Sequence, residues 1–123
     1  MKWLCLILGG ALGTLARYGL DGAAHKTMGH GFPYGTLAVN MFGCFLLGFF
    51  VSVYKGAFVI DHRFNFFLMV GFCGAFTTFS TFILQTAELV EDKMIMLAFL
   101  NVGLSIIAGM ALFIIGLKAG KLL

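Results

Sequence analysis

Two stretches of 24 residues without a single charged side chain, 64–87 and 94–117, set the first limit on what this chain can become. A third stretch, 31–54, is also charge-free and holds the one proline, Pro33, near its start. Residues 1–20 carry only Lys2 and Arg17 as charges, with 14 uncharged residues between them. The hydrocarbon core of a bilayer is about 30 Å thick, and about 20 helical residues cross it. The spacing therefore predicts an all-α membrane protein of four transmembrane helices, roughly 3–21, 35–54, 65–89 and 94–117, in one domain over residues 1–123. Strands of a membrane barrel do not fit, because the runs are too long and alternation of period two is absent. Composition agrees: 61% of the 123 residues are hydrophobic, 11% are charged, and the mean hydropathy is +1.04. A small soluble domain has much surface for its volume, and this chain lacks the polar groups to cover it. The first run, behind Lys2, also has the form of a signal peptide, but its apolar character continues past the cleavage zone.

The connections are short, at 22–34, 55–63 and 90–93. Cys5, Cys44 and Cys73 fall inside the spans and share no metal spacing with another cysteine or a histidine, so they read as small hydrophobes. His25, His30 and His62 fall in connections and read as solvated loop residues. No enzyme can be assembled from these residues. The nucleophile candidates within the spans are Ser, Thr and Cys, and no histidine shares their depth. A phosphate-cradling glycine loop, a zinc constellation and a basic nucleic-acid patch are likewise missing.

Orientation is only faintly specified. With the chain threaded four times, the side of the N-terminus holds Lys2, Lys55, Arg63, Lys118 and Lys121, and the other side holds Arg17, Lys26 and Lys93. Cytoplasmic loops carry the excess of Lys and Arg. Five against three slightly favours both termini inside, yet permits copies inserted both ways and an antiparallel pair. Small residues four apart recur in every span: Gly9 and Gly13, Cys44 and Gly48, Gly71 and Ala75, Ser105 and Gly109. Such pairs allow close helix approach, and several of them together argue for an oligomer, most simply a dimer.

The polar residues inside the spans carry the functional question. Gly74, Thr78, Thr81 and Gln85 follow one another at steps of four, three and four, on one helix face that Glu88 extends. Phe79 and Phe82 form a neighbouring stripe. Hydroxyls in a membrane helix can bond back to their own carbonyls, which is the plain explanation for any one of them. A whole stripe more commonly faces protein or water. Asn40 and Asn101 need partners, since an unsatisfied amide in hydrocarbon costs several kcal/mol. Helix glue and permeation pathway both satisfy that need. No Asp, Glu, Lys or Arg lies in the middle of a predicted span. That counts against a proton-coupled carrier with a buried carboxylate and against a cation pore with acidic rings. Amide and hydroxyl donors with phenyl ring edges suit a small anion or a neutral polar solute.

At these residues the chain resembles a known family. The stretch GFCGAFTTFSTF, residues 71–82, closely resembles the third-helix signature of the Fluc/CrcB fluoride channels. GGALGTLARYGL resembles the family's first helix with its arginine at Arg17, YGTLAVNMFGCFLLGF the second with its asparagine at Asn40, and LNVGLS the start of the fourth. The resemblance implies a dual-topology antiparallel homodimer in the cell inner membrane, with a third helix broken mid-membrane. It implies passive export of fluoride from the cytoplasm, which lowers fluoride toxicity. A structural, untransported sodium ion would sit at the dimer centre, held by backbone carbonyls of Gly74 and Thr77 from each subunit. The fluoride pathway would be formed by the rings of Phe79 and Phe82, by Asn40, by the hydroxyls of Ser80 and Thr81, and by Ser105, joined by Asn101, on the fourth helix. Arg17 would concentrate anions at a vestibule.

Two departures stand out. Where the family often has a glutamate three residues after the second pore phenylalanine, this chain has Gln85, which keeps hydrogen bonding without charge. The fourth-helix track continues with Gly109 and Phe113, so it is sparse. Two rival functions share the four-helix plan. A small dual-topology multidrug exporter needs a carboxylate within its first helix, and none precedes Asp21 here. A non-conducting assembly subunit would use its polar residues only as glue.

Overall fold

The computed structural model describes residues 1–56 and 60–123, and every regular element among them is helical. Helix α1 spans Lys2–Met28 and α2 spans Tyr34–Gly56. The third crossing is assembled from α3 (His62–Phe64), a π-helical segment (Asn65–Cys73), α4 (Gly74–Phe76) and α5 (Phe79–Glu91); α6 spans Ile95–Gly120. Four helical stretches are thus long and apolar enough to cross a membrane.

The first helix runs seven residues beyond the expected end at residue 21. Residues 21–28 contain no proline, and His25 and Lys26 lie in the last turn, where positive charge suits the helix dipole. Gly29 stops the helix with φ 89°, a left-handed value open to glycine, and its N–H donates to the His25 carbonyl at 2.8 Å. His25 is therefore a helix residue, half-buried and stacked on His30 at 4.8 Å, rather than a solvated loop residue. Arg17 also changes place: it lies eleven residues from the end of α1, not four as the expected span implied. The other ends move less. Helix α2 starts one residue early and ends two late, and the last helix continues from 117 to Gly120. The expected connection 55–63 lies partly outside the described residues.

Packing divides the subunit into two tight pairs. Helix α2 lies along α6, where Gly48 meets the backbone of Phe113 and Leu117, and Gly116 meets the backbone of Phe45 and Phe49. Each glycine lets the other helix's backbone come close, the small-residue packing that membranes favour. Helix α1 lies along the π-helical segment, and Gly9 and Gly13 receive the carbonyls of Phe67 and Phe72. Among the described residues the buried apolar side chains are few: Phe32, Val39, Cys73, Phe76, Phe82, Leu89 and Ala98. Met96 and Ile107 on α6 are 79% and 74% exposed. Large apolar side chains turned outward on this scale suit a surface that meets lipid or another subunit.

Candidate functional site

The third crossing loses its helical path at two threonines. Thr77 has φ −80° and ψ 157°, and Thr78 has φ −148° and ψ 117°, so both are extended. An extended residue forfeits its place in the helical ladder, and its N–H and C=O must find partners elsewhere. Asn40, on α2 and 38 residues away, supplies both. Its Oδ1 accepts from the Thr78 N–H at 2.9 Å, and its Nδ2 donates to the Thr78 carbonyl at 3.1 Å. The side-chain amide therefore pairs with Thr78 as a neighbouring strand would. Because the Thr78 N–H is taken, the carbonyl of Gly74 loses the donor that an unbroken helix would give it.

The threonines settle themselves locally. Thr77 Oγ1 donates to the Cys73 carbonyl at 2.9 Å, beside the Thr77 N–H on the same acceptor at 3.1 Å. Thr78 caps α5: its Oγ1 accepts from the Thr81 N–H at 3.3 Å and donates to Thr81 Oγ1 at 3.0 Å. Thr81 thus accepts from its neighbour and keeps its own hydroxyl proton to give.

Two hollows flank the break. One, about 220 Å³, is lined by Thr14, Arg17, Tyr18, Asp21, Thr36, Val39, Thr78 and Thr81. The other, about 300 Å³, is lined by Asn40, Cys44, Met69, Gly74, Thr77 and Phe79 among others. The structure thus gathers Arg17 with Thr81 on one side of the break, and Asn40, Gly74, Thr77 and Phe79 on the other. The rings of Phe79 and Phe82 stand 5.8 Å apart and tilted by 40°. Phe82 is 8% exposed, whereas Phe79 is 75% exposed on the outer surface of the subunit. Ser80 is exposed beside Phe79, so the two neighbouring hydroxyls part: Thr81 faces a hollow and Ser80 faces out.

The fourth-helix residues are placed differently. Ser105 lines neither hollow, and its hydroxyl oxygen is buried without a hydrogen-bond partner among the described residues. Gln85 Oε1 is buried and unpartnered in the same way. Asn101, 2% exposed, donates from Nδ2 to Thr86 Oγ1 at 2.9 Å. Among the described residues no group of three or more His, Cys, Asp or Glu side chains is placed to hold a metal ion.

Sequence reasoning missed Thr86, the partner of Asn101, and the company of Arg17. Both left a signal. Thr86 follows Phe82 by one helical step of four, and Thr14, Arg17 and Asp21 follow each other at steps of three and four.

Comparison with known proteins places the whole chain in one family. A family model described as "CrcB-like protein, Camphor Resistance (CrcB)" matches residues 4–117. A protein named Fluoride-specific ion channel FluC from Solidesulfovibrio magneticus is 41% identical over 118 residues, 96% of this chain and 94% of that protein. Its namesake from Geobacter sp. strain M21 is 41% identical over 114 residues, 93% and 92% of the two chains. Another, from Desulforapulum autotrophicum, is 39% identical over 122 residues, 99% and 98% of the two chains.

Proposed function

This chain belongs to the CrcB family, and from that premise we propose that it is a fluoride channel of the cell inner membrane, one that lets fluoride leave the cytoplasm passively and so lowers its toxicity. It is a channel and not an enzyme, and it crosses the membrane four times. The observation that carries the reading is the pair of phenyl rings on α5, set 5.8 Å apart on a helix that begins at a break.

Fluoride is small and strongly hydrated, so a path through hydrocarbon must replace its water with donors. Phenyl ring edges carry positive charge through the ring quadrupole, so the edges of Phe79 and Phe82 attract an anion. The Asn40 amide has two protons and gives one to Thr78, which leaves the other for the ion. Thr81 retains a hydroxyl proton, and Ser80 and Ser105 add further hydroxyls. Arg17 lines the hollow that Thr81 lines, one helical step from Asp21, and its guanidinium offers an entering anion a positive contact there. Gln85 offers hydrogen bonding without a charge that would repel fluoride.

Two copies lie antiparallel and form the functional unit. The near balance of five against three basic residues on the two sides supports insertion in both orientations. The outward Phe79 ring supports a path formed where two subunits meet, since a ring of that kind facing lipid alone would do nothing for an ion. The break lies near the bilayer middle. Its oxygens fit a hard cation: Gly74 has lost its helical donor to Asn40, and the extended Thr77 lies beside it. Sodium, a structural ion, would be held by the carbonyls of Gly74 and Thr77 from both subunits, and its charge would tie together backbone oxygens that otherwise repel.

The test is efflux from liposomes that contain the purified protein alone and are loaded with fluoride, read with a fluoride electrode. Rapid efflux without a proton gradient is expected. Silence from a folded, reconstituted dimer would refute the proposal.

A further inference from the structure

The fold leaves α5, the helix that carries both rings, lightly held by its own subunit. Phe79, Ile83, Leu84 and Val90 all lie on its exposed surface. Its own subunit buries one side of it, that of Phe82 and Leu89. Two polar links hold it as well. One is the Asn40 pairing with Thr78 at the N-terminus of the helix. The other is a chain of hydrogen bonds two turns later: Asn101 Nδ2 donates to Thr86 Oγ1 at 2.9 Å, and Thr86 Oγ1 donates to the carbonyl of Phe82 at 2.7 Å.

We propose that Asn101 and Thr86 are positioning residues for fluoride passage, a pinned two-bond chain that sets the rotation of α5 and with it the aim of the Phe82 ring. The role rests on the channel reading above. The chain is directional. A hydroxyl has one proton, and because Asn101 donates into Thr86, that proton must go onward to Phe82. The torsion of Thr86 is thereby fixed, and the backbone turn that bears Phe82 is tied to α6. Asn101 is one of the two largest side chains that are fully buried, so water does not compete for its amide. Side chains stand about 5–6 Å from a helix axis, so a rotation of about 10° moves a ring by about 1 Å. A displacement of about 1 Å is enough to cost ten- to a hundredfold where groups must meet a reacting or permeating species closely.

The experiment compares the full-length protein with Thr86→Val, Thr86→Ser, Asn101→Leu and the Thr86→Val, Asn101→Leu double variant, all in liposomes. Valine matches threonine in shape and lacks the hydroxyl; serine keeps it. Fluoride efflux should fall about tenfold or more in Thr86→Val and in Asn101→Leu. Thr86→Ser should retain most of the flux, and the double variant should lose no more than the worse single one, because both break one chain. In parallel, each variant is made with 4-fluorophenylalanine at position 82. The fluorine resonance of that ring should move in Thr86→Val and Asn101→Leu, and stay put in Thr86→Ser. Wild-type flux with an unmoved resonance in Thr86→Val would overturn the role while leaving the channel reading intact. So would equal losses in the valine and serine variants, or losses that multiply in the double variant. Silence of the unmodified protein would overturn the channel reading and this role with it.

Discussion

Replacing Asn40 with leucine keeps the number and branching of the side-chain heavy atoms and removes both bonds to Thr78, at 2.9 and 3.1 Å. Each lost bond leaves one backbone group of Thr78 without a partner, at a cost of about 1–3 kcal/mol. Thr78 is only part-buried, so the lower half of that range applies, about 2–4 kcal/mol for the two together. With a factor of ten for every 1.4 kcal/mol or so, the extended conformation loses about 30- to 700-fold against its competitors. The nearest competitor is a continuous helix in which the Thr78 N–H returns to the Gly74 carbonyl. Carbon-13 shifts of Thr77 and Thr78 in the labelled protein distinguish the two conformations directly. In Asn40→Leu they should move from extended to helical values, and fluoride efflux should fall with them. Extended shifts in Asn40→Leu, with an unchanged melting temperature, would refute the idea that this amide holds the break open.

Three other outcomes follow from the same geometry. A methyl group added in Gly48→Ala falls on the Phe113 carbonyl, so α2 and α6 must part, at about 1–3 kcal/mol; the melting temperature should drop, and an unchanged one would show that the contact is slack. Phe79→Ile and Phe82→Ile should each cut fluoride efflux while the dimer still elutes intact from a sizing column; full flux in both would remove the rings from the pathway. Exchanging sodium for the bulky cation N-methyl-D-glucamine should hasten dissociation of the dimer on dilution in detergent. Identical dissociation in the two salts would dismiss sodium from the assembly.

The four crossings were legible because charge is costly in hydrocarbon and the runs between charged residues match a bilayer. The end of α1 was less so. Hydropathy reports where a membrane-like stretch stops, whereas the helix goes on until Gly29 turns it, and residues 21–28 mix charged and polar side chains with Ala23, Ala24 and Lys26, which favour helix, and hold no proline to end it sooner. The π-helical turn at Asn65–Cys73 left no pattern in the sequence. It lies where Gly9 and Gly13 admit the carbonyls of Phe67 and Phe72, a fit that depends on a helix sixty residues away. Asn40 was legible as a residue in need of a partner, but nothing in a linear reading names Thr78 as that partner. Asn101 was equally visible and equally silent about Thr86. Ser80 and Thr81 were read as a pair beside the rings, and the structure parts them, Thr81 toward a hollow and Ser80 outward, while Thr78 caps α5 and Thr77 bonds back to the Cys73 carbonyl.

The pairing of Asn40 with Thr78 has one more consequence. Backbone that departs from a helix in oil needs a partner for each group it frees. Here the partner comes from within the same polypeptide, where α2 and the third crossing meet. A single subunit can therefore hold its kink with its own side chains, and the bent third crossing does not depend on anything the subunit has yet to bind.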